Sequence, residues 1–298
     1  MGIILGLGAA LGWGIADFCA RFASQRIGSY RTLLYMQPLG FLGLSFFLIL
    51  TEANKFSSWQ LWALGLAVVL SLGNLLAGLS LYRAFEIGTL SLMSPIAASY
   101  GAITLLLSIL SGERPSFVQL FGLMLTLSGV ILASASPFAP ETGQALELKK
   151  EKAMGKKRLS RGVGYAIFAS LCFGVALWGF HFVTPNLGGV APVWVNRLVG
   201  PLLLLSLARP LGQSIALPQG EVWKWLIAVG LIDTLAFLCF TFGINVAGET
   251  GIVAVLSSLF SVITILLARL FLKERLAFSQ WAGIGLLLLG VGLVSYQS

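Results

Sequence analysis

Asp233 sits in the run WLIAVGLIDTLAFLCF. It lies about eleven residues into an apolar stretch near 222–246, which at helical rise places it near mid-membrane. A charged side chain at that depth costs at least about 2.5 kcal/mol on insertion scales, so each one needs a reason. Two readings fit Asp233: a cavity carboxylate that binds a cationic group or exchanges a proton, or a structural partner for Arg197. Trp13, Asp17 and Arg21 recur every four residues and share one helix face. Either Asp17 and Arg21 neutralise each other near a membrane face, or Trp13 and Asp17 face a cavity. Asn74 and the Ser99-Tyr100 pair fall near mid-depth in other apolar runs, suited to interhelical hydrogen bonds or to cavity lining. Pro95 interrupts one helical ladder where Ser257-Ser258 stand in a later segment, and a missing backbone bond permits bending. Trp178 faces lipid or a cavity, where an aromatic wall suits amphipathic solutes. The candidate substrate-binding set is therefore Trp13, Asp17, Asn74, Ser99, Tyr100, Trp178, Asp233, Ser257 and Ser258, with Asp233 also the proton-coupling candidate.

Other chemistry is poorly supplied. His181 is the only histidine, near one end of its span, and reads as interfacial or as a proton relay. Arg197 lies about six residues inside its segment, a depth that calls for pairing or snorkelling. Cys19, Cys172 and Cys239 are far apart in apolar runs with no CxxC, so neither a metal site nor a cofactor is expected. A membrane-embedded enzyme would need carboxylates, histidines or a nucleophile and base gathered at one depth. No Walker A pattern is present, so ATP is not the expected energy source.

These residues need helices to position them. Of the 298 residues 57% are hydrophobic and 10% charged, against about 25% charged in an ordinary soluble domain. Such a chain has too little polar surface for water, and reads as an all-α polytopic membrane protein in the cell membrane. About ten runs approach the roughly 20 residues needed to span a bilayer. They lie near 2–20, 32–51, 59–82, 90–111, 117–136, 162–182, 191–208, 222–246, 251–272 and 280–297. The opening MGIILGLGAALGWG lacks a basic leader and reads as a first span that is kept. The sequence pI near 9.7 comes from short loops with no basic face for a phosphate backbone to follow, so no nucleic acid partner is expected.

The runs repeat. Glu86 matches Glu249, Gly88 matches Gly251, Glu113-Arg114 matches Glu274-Arg275, Gly129 matches Gly290 and Ser134 matches Ser295. Leu11-Gly12-Trp13-Gly14 matches Leu171-Cys172-Phe173-Gly174, Pro38 matches Pro201, and Trp62 matches Trp225. The unit is five helices, and an odd number makes the second copy enter from the opposite side. The expected organisation is a first repeat over 1–136, a charged linker over 137–161 acting as a solvated tether, and an inverted second repeat over 162–298. Of the 19 Lys and Arg residues, 15 follow odd-numbered spans, whereas Lys55 and Arg114 alone occupy the other face. The positive-inside rule then places both termini outside and the linker in the cytoplasm. Glu86 and Glu249 read as helix-start acids that favour the dipole.

The paired repeats, the small-rich first helix with its LGWG, and the Gly-Glu-Arg-Pro and Lys-Glu-Arg turns carry a family resemblance. With them go glycine-rich last helices of GxxLxxxGV type. The chain resembles the drug/metabolite transporter superfamily, in its ten-helix EamA branch, over nearly all but the linker. The resemblance implies a cavity lined by the first, third, fourth, sixth, eighth and ninth helices, with the fifth and tenth peripheral. It also implies export or exchange of small metabolites such as amino acids. The expected function is secondary active transport of an amino-acid-like or amine solute by alternating access. A non-transporting scaffold or receptor and a lipid-processing enzyme are the alternatives. The expected partners are a small-molecule substrate and the lipid bilayer; the sequence leaves open whether the chain is a monomer or a homodimer.

Overall fold

Lipid offers backbone groups no hydrogen-bond partners, so apolar runs must satisfy their own as helices. The computed structural model describes residues 1–51, 59–134, 147–272 and 278–296. Among these the regular elements are all α-helices: α1 Gly2–Ile27, α2 Ser29–Thr51, α3 Leu61–Ile87, α4 Leu90–Ala98, α5 Tyr100–Leu110 and α6 Phe117–Ser134. They continue as α7 Glu147–Leu187, α8 Ala191–Ala208, α9 Val222–Ala247, α10 Thr250–Ser257, α11 Phe260–Leu272 and α12 Phe278–Tyr296. Among the described residues eight stretches are long and apolar enough to cross a membrane, with α4–α5 and α10–α11 each counting as one. Helices α6 and α12 are apolar as well, over 18 and 19 residues. Helix α7 begins at Glu147, so the later part of the polar linker is helical and continuous with the sixth span. Glu, Leu, Lys, Ala and Met dominate that part, and all are strong helix formers.

The packing is symmetric. Helix α1 lies along α9 as α7 lies along α3; α1 meets α10 and α11 as α7 meets α4 and α5. Likewise α2 packs on α9 as α8 packs on α3, while α2–α8 and α6–α12 are self-paired. A pseudo-twofold that exchanges the two five-helix halves accounts for every one of these pairs. Small residues permit the close crossings. A Cβ on Gly14 would fall 2.6 Å from Ile263 Cβ, and one on the equivalent Gly174 would fall 2.6 Å from Ile103 Cβ.

The structural register differs from the sequence match at one junction. Gly88 ends α3 and Gly248 ends α9, so Thr89 and Glu249 are the equivalent residues preceding α4 and α10. Glu86 lies in the last turn of α3 rather than at a helix start, and its carboxylate accepts the Ser29 N–H at the start of α2 (3.1 Å). Glu249 makes no side-chain cap on α10.

The fourth and ninth spans are interrupted at equivalent points, by different means. Pro95 withholds a backbone donor in α4, and Ser99 Oγ donates to the Ile96 carbonyl at 2.7 Å. In the other half no proline is needed: Ser257 and Ser258 donate to the carbonyls of Ala254 and Val255 at 2.9 and 2.7 Å. Side-chain bonds of this type compete with the helix ladder and bend it. Each break tightens the backbone to i−3 bonding, from Ser99 to Ile96 and from Leu259 to Leu256.

Candidate functional site

The pseudo-twofold passes through an internal cavity. No residue lining it is exposed. Rings form one wall. Tyr100 stacks on its repeat equivalent Phe260 with centroids 6.0 Å apart and planes 10° apart. Trp13 meets Tyr100 edge-on at 6.4 Å and packs on Phe237 at 6.3 Å, and Phe173, equivalent to Trp13, lies 6.1 Å from Tyr100.

Three charges share the cavity. Arg197 on α8, 3% exposed, forms an ion pair with Asp233 on α9. Its Nε donates to Thr234 Oγ1 at 2.9 Å, and that hydroxyl donates to the Gly230 carbonyl at 2.6 Å. This chain of bonds leaves Arg197 paired and Thr234 saturated. Asp17 on α1 is 5% exposed and, among the described residues, has no hydrogen-bond or ion-pair partner. Arg21, one turn further, donates to the Gly88 carbonyl at 3.0 Å and does not pair with Asp17, so of the two readings of Trp13 and Asp17 the cavity-facing one fits. With two carboxylates against one guanidinium, the lining carries a net negative charge when all are ionised.

Of the residues singled out by sequence, Trp13, Asp17, Asn74, Tyr100 and Asp233 line the cavity together. The others stand outside it. Ser99 Oγ bonds Ser170 Oγ (2.7 Å), and Ser257 Oγ bonds the Tyr100 hydroxyl (2.8 Å) from behind the ring. Ser258 belongs to the α10–α11 break. Trp178 donates its indole N–H to Ser111 Oγ (2.9 Å) near the end of α5. Sequence reasoning missed Tyr82, at the end of the third span, and it missed Gln37 and Arg197 because the resemblance put the second and seventh helices outside the cavity. They are not: α2 supplies Leu33, Met36 and Gln37, and α8 supplies Arg197.

A second recess opens at the end of the bundle that carries the α9–α10 turn. Glu113, from the α5–α6 turn, accepts the backbone N–H groups of Thr250 and Gly251 at 2.7 and 3.0 Å. Glu113 is therefore the acid that caps α10, the role expected of Glu249. His181 Nδ1 lies 3.0 Å from Thr250 Oγ1. Burial, and then the charge of Glu113, raise the Glu249 carboxyl above its ordinary value. The partner turn at 273–277 lies outside the described residues.

A model of the EamA-like transporter family matches residues 1–135 and 160–296. The chain belongs to that family. Membership makes it a membrane transporter of small molecules, within the drug/metabolite transporter superfamily. One crystal structure of a protein at 16% identity superposes with a TM-score of 0.73 over 99% of this EamA-like chain and 96% of its own. At that identity the likeness concerns the fold. No curated protein matches the chain.

Proposed function

We propose that this EamA-like chain is a secondary active transporter for small organic cations, amines or amino-acid-like solutes, which it exports or exchanges by alternating access. The observation that carries the reading is Asp17: a buried carboxylate, unpartnered among the described residues, on the wall of an aromatic-lined cavity at the symmetry axis. An ammonium group supplies the missing counter-charge, and the rings accept an apolar body and a cation face-on. Asp17 is also the better proton-exchange group than Asp233, whose carboxylate is already held by Arg197. A proton and an ammonium cannot both occupy Asp17, and that competition is a means of coupling solute to proton.

Purified full-length protein in liposomes, preloaded with unlabelled phenethylamine, should accelerate uptake of the labelled amine and saturate with concentration. Flux that stays linear and equal to that of empty liposomes would favour the scaffold reading.

The distribution of positive loops supports both termini outside and the linker in the cytoplasm of a cell-membrane protein. A reporter active only outside the cytoplasm, fused after Ser298, should then give signal; activity of a cytoplasm-only reporter at the same place would reverse the orientation. The repeat boundaries near 136 and 162 belong to the same proposal.

A further inference from the structure

The cavity's polar groups divide between the two halves. Those from the second half, Arg197 and Asp233, satisfy one another. Those from the first half are left wanting. Asp17 has no partner among the described residues, Asn74 Nδ2 reaches Asn196 Oδ1 only at 3.5 Å, and the Tyr82 hydroxyl has the Met36 thioether at 3.2 Å. Gln37 is the sharpest case. It is 3% exposed, lines the cavity from α2, and its Oε1 has no hydrogen-bond partner.

The fold makes room for this carboxamide. The residue equivalent to Gln37 in the second repeat is Gly200, and the two meet across the pseudo-twofold. A Cβ on Gly200 would lie 1.8 Å from Gln37 Oε1 and 2.5 Å from its Nε2. Any larger residue at 200 would push the carboxamide out of its seat. A buried amide held without partners is costly unless something else meets it. A carboxamide offers one acceptor and two donors and reverses them by rotation about its last bond, so it pairs with either a carbonyl or an N–H.

We infer that Gln37 is a solute-recognising residue, which selects cations that carry a second polar group, a carbonyl or carboxamide, beside the ammonium. The inference rests on the amine reading of Asp17. Gln37 answers the second group while Asp17 holds the charge, so the solute's polar end is read by the first half of the chain.

The test compares phenethylamine with phenylalaninamide, which adds a carboxamide next to the same amine, by thermal stabilisation of the full-length protein in detergent. Wild type should bind phenylalaninamide about tenfold more tightly, the equivalent of one satisfied hydrogen bond in a dry site. Gln37→Leu should bring the two affinities within about twofold of each other. Gln37→Met, of similar volume, guards against a packing effect and should behave alike. Both empty variants should unfold at or above the wild-type temperature, because an unmet polar group has been removed. An unchanged preference in both variants, or a marked loss of stability in the empty proteins, overturns the role of Gln37 and leaves the amine reading standing. Silence of the wild type towards both amines overturns the amine reading, and the inference with it.

Discussion

Asp17→Asn is expected to lose amine binding while keeping the fold. Truncating one partner of a buried charge-assisted contact costs roughly 2–4 kcal/mol of binding, or about 30- to 1000-fold in affinity. The empty variant should be as stable as wild type or more so, since a buried carboxylate without a described partner has been neutralised. Neutralisation separates the functional account from the structural one: a structural carboxylate would lower stability when replaced, whereas a binding carboxylate lowers affinity. The measurement is amine-dependent thermal stabilisation of both proteins, repeated across pH. Wild-type affinity should fall as pH falls, because protons compete for the carboxylate, and the Asn variant should show no such trend. Equal affinity in the two proteins would remove Asp17 from the site.

Arg197→Leu is expected to damage the fold rather than one step of transport. The guanidinium is 3% exposed and has Asp233 and Thr234 as its partners. Removing it leaves a carboxylate without its counter-ion between α8 and α9, and breaking a buried pair in this way costs about 3–5 kcal/mol. Asp233→Leu strands the guanidinium and should be as harmful. The double variant Arg197→Met with Asp233→Leu strands neither, and should recover most of the lost stability because a well-packed apolar pair replaces an ion pair at little net cost. Thermal unfolding of the two single variants and the double variant in detergent reads this directly. Additive losses in the double variant would show that each residue has other essential contacts. Mild losses in both single variants would show that the pair contributes little.

Much of the fold was legible because membranes restrict the alternatives. Long apolar runs can only be helices, and duplication doubles every signal, so the glycines at Gly14 and Gly174 announce the same close crossing twice. Asp17 and Asp233 were legible for the same reason, since a charge is conspicuous in an apolar run. What stayed hidden depends on which way a helix face turns. The second span, with Pro38, is not among the helices that the resemblance puts around the cavity, yet α2 brings Gln37 to it. The pairing of Glu113 with α10 was hidden as well, because the bond joins residues 137 positions apart and sequence shows only that both acids sit in turns. The Glu86–Glu249 match misled for a related reason: sequence aligns like with like, while the structure aligns the helix ends at Gly88 and Gly248.

The bond between the Tyr100 hydroxyl and Ser257 has no counterpart in the other half, where the equivalent residues are Phe260 and Ala97. Turning an inverted repeat to face the other side of the membrane exchanges the roles of its halves. Under the alternating access proposed above, one orientation would hold a hydrogen bond that its mirror lacks, and a net bond of about 1 kcal/mol weights two states by roughly fivefold. Such a weighting cannot drive net movement against a gradient, because occupancy is not work. It does divide the apparent dissociation constant on each face by the fraction of carriers waiting there. A carrier assembled from two near-copies of one ancestor would thus present a stronger grip to one compartment than to the other, with a single phenolic oxygen as the thumb on the scale.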